Sequence, residues 1–232
     1  MAGQWIDIPA GDGSGSFRGY LALPSAGKGP GLIVAQEIFG INSTMQQIAD
    51  DYAAKGFVAL APDLFWRIEP GIELGYTEAD WKRAFELFQA FDQDKGIEDI
   101  AASLSTLRAR PEVAGQTGCV GYCLGGKLAY LTAARTDVDV SVGYYGVGIE
   151  AALDEAAAIK GQLVLHIAEQ DQFCPPEAQK QITETLAANT HVQTHVYPGV
   201  DHAFARPGGE HFDQAAADLA NQRTLQALTG KG

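Results

Sequence analysis

Apolar residues fall along this chain in two alternating rhythms. Runs such as Leu32-Ile33-Val34-Ala35 and Phe57-Val58-Ala59-Leu60-Ala61 are continuously apolar, as strands buried on both faces are. Between such runs lie longer stretches whose apolar residues recur three and four apart, the spacing of one helix face. Strands are expected at 5–8 and 17–23, paired as a hairpin about the Gly/Asp/Ser-rich turn at 11–15. Others are expected at 32–35, 57–61, 117–120, 138–145 and 162–167, with a last one closing at 195–197. Segment 24–30 reads as a loop, and 64–75, without periodicity, as a loop at a site.

Helix signals fill the gaps. Asn42 or Ser43 can cap a helix running to Lys55, which Gly56 stops. Thr77 can cap the next, where Phe85, Phe88 and Phe91 recur at three-residue spacing and read as a core stripe. Further helices are expected at 97–108 with Ile100, Leu104 and Leu107 inward, at 127–134, 150–159 and 212–228, and from Pro176 to 188, proline being favoured in a first turn. Strands and helices alternate without internal repeat or low-complexity linker. That order predicts an α/β fold, a mostly parallel central sheet with helices on both faces, in a single domain spanning 1–232.

Composition narrows the function. With 46% hydrophobic residues, the chain can bury a substantial core, and its formal net charge of -13 disfavours nucleic acid and anionic membrane as partners. An anionic substrate would need a local cation. The three cysteines, Cys119, Cys123 and Cys174, form no disulfide framework, which points to free thiols in a reducing compartment. Cys119 and Cys123 lack the second pair or nearby histidine that a metal set requires, so no metal and no cofactor is expected. Met1-Ala2-Gly3-Gln4-Trp5 carries no leader signal and no apolar run is long enough to span a bilayer, so a cytoplasmic location is expected. The oligomeric state is left open, and a monomer is compatible with everything here.

Candidate chemistry centres on Gly121-Tyr122-Cys123-Leu124-Gly125-Gly126, between an expected strand and an expected helix. Strand, tight turn, helix is the setting of a nucleophile elbow. Cys123 would project from the turn near the positive end of the helix, a place that favours thiolate over thiol. Acyl transfer also needs a base and an acid to orient it, and in α/β hydrolases the chain order is nucleophile, acid, histidine. Here that order reads Cys123, Asp171, His202, each just after an expected strand. Taken singly, each has an ordinary reading: an inert thiol, a loop acid satisfying backbone donors, a solvated histidine. His166 and His195 fall inside strands, His191 at a strand start and His211 at a helix start. Asp201 adjoins His202, which makes a shared orientation awkward.

Six blocks in register give the chain its resemblance to a known family. They are Ala35-Gln36-Glu37-Ile38-Phe39-Gly40, Leu87-Phe88-Gln89-Ala90-Phe91-Asp92, the elbow at 121–126, Gly143-Tyr144-Tyr145-Gly146-Val147-Gly148, Gln170-Asp171-Gln172-Phe173 and His202-Ala203-Phe204-Ala205-Arg206. Over nearly its whole length the chain resembles the dienelactone hydrolases of the α/β-hydrolase fold. The resemblance implies a Cys123–Asp171–His202 triad and an oxyanion hole from the backbone N–H groups of Leu124 and Ile38. It also implies Glu37 beside the resting thiol as a gate, and Arg206 on the substrate carboxylate. It places Phe39, Tyr145, Trp81 and Phe88 along the substrate pocket. The implied reaction opens a small anionic cyclic enol ester through a thioester, as in conversion of a dienelactone to a maleylacetate. One position departs: the family's second carboxylate-binding arginine aligns with Trp81, and Arg83, two residues on, points to a different helix face. A broader thiol carboxylesterase and a non-catalytic ligand-binding or redox-sensing thiol protein are the alternatives.

Overall fold

The computed structural model describes residues 3–230, so Met1 and Ala2 of the leader reading lie outside it. The protein is α/β, with eight strands in a mostly parallel sheet. Two compact units can be distinguished, one ending at Cys119 and the other beginning at Val120.

In the first unit, β1 (Gln4–Pro9) and β2 (Ser16–Ala22) form the expected antiparallel hairpin. β2 pairs antiparallel with β4 (Val58–Pro62), and β4 pairs parallel with β3 (Gly29–Ala35). Residues 31–35 and all of β4 are buried, which is why both read as unbroken apolar runs. α1 (Ser43–Ala54) is capped by Asn42, whose side chain accepts from the Met45 N–H. α2 (Glu78–Ala90) opens on a capping box formed by Thr77 and Asp80. The phenylalanine stripe of α2 is not its core face: Ala84 and Leu87 are buried, while Phe85 is 40% exposed and Phe88 and Phe91 are half-buried. A three-residue step drifts around a helix of 3.6 residues per turn, so the stripe leaves the face that Ala84 and Leu87 define.

α3 (Gln93–Arg108) starts four residues before its expected position, because Asp92 accepts from the N–H groups of Asp94 and Lys95. Its Ile100, Leu104 and Leu107 are buried as expected. Segment 64–75 is indeed a loop. Asp63 accepts from Phe65 and Gly71 within it, and Arg67 grips the buried Asp99 with two hydrogen bonds of 2.8 Å.

β5 (Val113–Tyr122) runs from the first unit into the second and begins earlier than expected, its Ala114, Gly115 and Gln116 being exposed. In the second unit, β6 (Val140–Tyr144), β7 (Gln162–Ala168) and β8 (Val192–Tyr197) pair in parallel in that order. α4 (Leu124–Arg135) packs on β6, and α5 (Pro176–Leu186) packs on β8. α6 (Gln214–Thr229) packs on β6 and β7. The helix expected at 150–159 is a 3₁₀ helix (Ile149–Ala158) broken at Ala152. The last helix is capped by Asp213, so Phe212 and His211 precede it. Among the described residues no helix is long and apolar enough to cross a membrane.

Candidate active site

The residues of interest follow the ends of three strands, β5, β7 and β8. β5 ends at Tyr122, and Cys123 turns the chain into α4 with φ 56° and ψ -114°. That conformation is costly for a residue with a side chain, on the order of 1–3 kcal/mol. It is held by backbone bonds: the Cys123 N–H donates to the Tyr144 carbonyl at 3.1 Å, and the Cys123 carbonyl accepts from Gly126 at 2.9 Å and from Lys127 at 3.3 Å. Among the described residues the other non-glycine positive φ values belong to Tyr145, after β6, and Ala203, next to His202. Strained backbone therefore gathers at these strand ends, where side chains must be aimed rather than merely packed.

β7 leads to Asp171, 2% exposed. One carboxylate oxygen accepts from the Phe173 N–H at 2.8 Å and the other lies 2.7 Å from Nδ1 of His202. His202 follows β8 and is 7% exposed. Its ring is hydrogen-bonded to Cys123 as well. The structure thus brings Cys123, Asp171 and His202 into one hydrogen-bonded line. The edge of the Tyr145 ring (centroids 5.1 Å apart) and that of Phe173 (5.0 Å) enclose the imidazole. Sequence reasoning did not single out Phe173 as a site residue. Its signal was its place two residues after Asp171, in the turn whose N–H the carboxylate accepts.

The other candidates are otherwise engaged. Asp201 accepts from the backbone N–H of His202 itself at 2.6 Å, not from its ring. His166 is fully buried between Thr224 and Tyr197, and His211 lies 3.1 Å from the His202 carbonyl.

Burial alone would push the His202 imidazole down, but charge and hydrogen-bond contacts with Cys123, together with Asp171, outweigh it and raise it to about 10. An unfolded histidine titrates at about 6.5, so the stability this group contributes is complete below about 6.5 and is lost as pH rises through about 10. The first of the raising causes is the charge of an ionised Cys123, so the NMR midpoint of His202 is expected above the ordinary range once that thiol has lost its proton, and Cys123→Ala or Asp171→Asn should each lower it. A midpoint that neither variant lowers would contradict the arrangement. Burial first, then Asp171 and Glu150, push the Cys174 thiol up to about 12.

The remaining sequence candidates sit as follows. Leu124 opens α4, where first-turn N–H groups lack intrahelical partners. Arg206 is half-buried, four residues after His202. In the first unit Glu37, Ile38 and Phe39 follow β3 and are buried. Phe39 meets Trp81 edge-on at 4.8 Å and Tyr76 at 4.8 Å, and Trp81 continues to Phe85 at 5.9 Å. Trp81 is therefore part of an aromatic row. Arg83 faces solvent, paired with Glu69 and Glu86.

A strained thiol elbow followed in the chain by a carboxylate and a histidine at later strand ends, on a mostly parallel sheet, is the ordering of the α/β hydrolases. The family model described as "Dienelactone hydrolase family" matches residues 17–231. A protein of Azospirillum brasilense is 48% identical over 223 residues, covering 94% of this chain and 95% of its own. A carboxymethylenebutenolidase of Pseudomonas putida is 38% identical over 229 residues, covering 98% and 97%. Among solved structures, a dienelactone hydrolase-like promiscuous phosphotriesterase from metagenomic libraries superposes with a TM-score of 0.81 at 21% identity, covering 99% of each chain. The chain belongs to the dienelactone hydrolase family, and it is a hydrolase of carboxylic esters.

Proposed function

We propose that this enzyme opens small anionic cyclic enol esters, of the dienelactone-to-maleylacetate kind, through a thioester on Cys123. The observation that carries the reading is the imidazole of His202 hydrogen-bonded to Cys123 and, at 2.7 Å, to Asp171. The Cys123 sulfur attacks the lactone carbonyl, its proton passing to His202, which Asp171 holds in one tautomer. The carbonyl electron pair moves to oxygen, which the N–H groups of Leu124 and Ile38 receive. As the tetrahedral centre collapses, the ring C–O bond breaks and the enolate leaves with the proton from His202. Water, deprotonated by His202, then cleaves the thioester to a carboxylate and restores the thiol. We read 1–232 as one domain for this purpose, supported by the continuity of β5 and by the family match over 17–231.

Arg206 is assigned to the substrate carboxylate, which a guanidinium can grip through two parallel hydrogen bonds. Phe39, Tyr145, Trp81 and Phe88 are assigned to the pocket wall. The test is a panel comparing a dienelactone acid, its neutral methyl ester and simple neutral esters. Arg206→Ala should raise KM for the acid about tenfold or more and leave the neutral ester nearly unchanged. Equal effects on both would remove Arg206 from substrate recognition, and equal turnover of all esters by the wild type would favour the broader thiol esterase.

Glu37 is assigned to gating. A carboxylate beside the resting thiol opposes a second anion and accepts the thiol proton, so the reactive thiolate is released once substrate displaces it. Iodoacetamide should then alkylate wild-type Cys123 slowly at neutral pH and the Glu37→Gln variant several-fold faster. Fast alkylation of the wild type that Glu37→Gln leaves untouched would sink the gate.

A further inference from the structure

A second concave feature of the Val120–Gly232 unit lies away from Cys123, Asp171 and His202. It is an open groove of about 430 Å³, lined chiefly by Gln162, Gln193, His195, Arg223 and Gln226. The chain carries 29 acidic residues against 16 basic ones, yet among the described residues no Asp or Glu lines this groove. Among the described residues its charged and titratable lining groups are one guanidinium and one imidazole. Gln162, Gln193 and Gln226 add amide donors that make no side-chain hydrogen bond within the described protein.

Arg223 is held in place without being neutralised. Its Nη1 donates to the Tyr197 hydroxyl at 3.1 Å and its guanidinium lies 5.4 Å from the centre of that ring. Among the described residues it has no carboxylate partner. The Tyr197 oxygen accepts from Arg223, so its proton is available to Nδ1 of His166, 2.9 Å away. Nε2 of His166 then donates to the Thr224 hydroxyl at 3.0 Å. Thr224 and Arg223 belong to the same helix, α6, so this chain of bonds closes on the element that carries the arginine. One hydrogen bond from a group with five N–H donors leaves most of its capacity for something else. His195 stacks on His166 (centroids 5.8 Å apart) and shares the groove with Arg223.

We propose that this groove is a binding site for a small oxyanion, carboxylate or phosphate-like, gripped by Arg223 with His195 and the glutamine amides around it. A planar fork beside neutral amide donors fits such a ligand, and the negative field of the rest of the chain confines the site to this acid-free patch. The proposal is independent of the ester chemistry at Cys123. His195 is pushed down at present, by burial first and by Arg223 second. A bound anion opposes both, so binding should take up a proton and tighten as pH falls. The groups facing His195 in that balance are Arg223 from α6 and the neutral, buried His166 from β7.

The test uses the full-length protein at constant ionic strength, with sulfate as probe because its charge is fixed over this pH range, and succinate as the carboxylate alternative. Binding is read by calorimetry and by the His195 ring signals in NMR. Saturable binding in the range of about 1–10 mM is expected, several-fold tighter at about pH 6 than at about pH 8. Arg223→Gln should weaken it at least about tenfold. Because that change also removes a donor to Tyr197, Gln193→Glu serves as a second variant: at an exposed position it sets a carboxylate beside Arg223 and should weaken binding as much. Arg206→Ala should leave the His195 response unchanged. Tighter binding of sulfate or of succinate assigns the ligand class. A His195 response that does not saturate, or that both groove variants leave at wild-type strength, overturns the proposal.

Discussion

Cys123→Ala is expected to lower turnover by about a thousandfold or more while leaving the protein folded. On the proposed mechanism the rate falls because the other two members of the line have nothing to act on: His202 has no proton to take and Asp171 no imidazolium to stabilise. The fold survives because the sulfur is half-buried at a turn and fills no core position. Cys123→Gly sharpens the point. The native φ of 56° with ψ of -114° is open to glycine and expensive for any other residue. The glycine variant should therefore be inactive yet match or exceed the alanine variant in thermal midpoint. Cys119→Ala and Cys174→Ala are the controls and should keep turning over. Cys119 is fully buried in β5, and the Cys174 thiol, raised to about 12, stays neutral at working pH. Wild-type turnover by Cys123→Ala, measured on purified protein with the free-thiol count checked, would end the thioester reading.

Much of the α/β architecture was legible because the central strands are buried on both faces. Continuous apolar runs such as 32–35 and 57–61 have no other economical use in a chain of this length. Capping residues were equally readable: Asn42 and Thr77 each accept the hydrogen bond that their position promised. Elements were misjudged where burial and pattern part company. β5 extends back through the exposed Ala114, Gly115 and Gln116, which no hydrophobic rhythm marks. α3 begins at Asp92 because of a cap, not an apolar face. The phenylalanines of α2 share a spacing but miss the buried side, since Ala84 and Leu87, not the largest residues, make that contact. Within the site, chain order pointed to the strand ends that hold Cys123, Asp171 and His202. The enclosure of His202 by Tyr145 and Phe173 was not readable, because it depends on turns whose backbone angles leave no apolar pattern.

Gly121→Ala is expected to cost about 3 kcal/mol of stability or more, the upper part of the range for forcing atoms into a packed interior. A Cβ at Gly121 would sit 1.9 Å from the Gly125 carbonyl oxygen and 2.3 Å from its carbon. Both are backbone atoms, so no rotamer change can make room, and the first turn of α4 must move away from the end of β5. That turn is the one Cys123 starts, and its neighbour Gly126 is equally confined, a Cβ there meeting the Tyr144 carbonyl oxygen at 2.4 Å. The elbow is thus pinned between the Gly125 and Tyr144 backbones. Relief of the clash would break the 3.1 Å bond from Cys123 N–H to Tyr144 and rotate the sulfur out of line with His202. For a chain of this size the loss corresponds to a fall of roughly 6–12 °C in thermal midpoint. Turnover per folded molecule should drop as well, by about a hundredfold, as expected when reacting groups are displaced by an ångström. Gly11→Ala is the matched control: it sits in a surface turn with nothing within 4 Å of the new methyl and without a positive φ, so its midpoint should stay within about a degree or two of wild type. Should Gly121→Ala melt and turn over like Gly11→Ala, the close approach at the elbow would not be what aims Cys123 at His202.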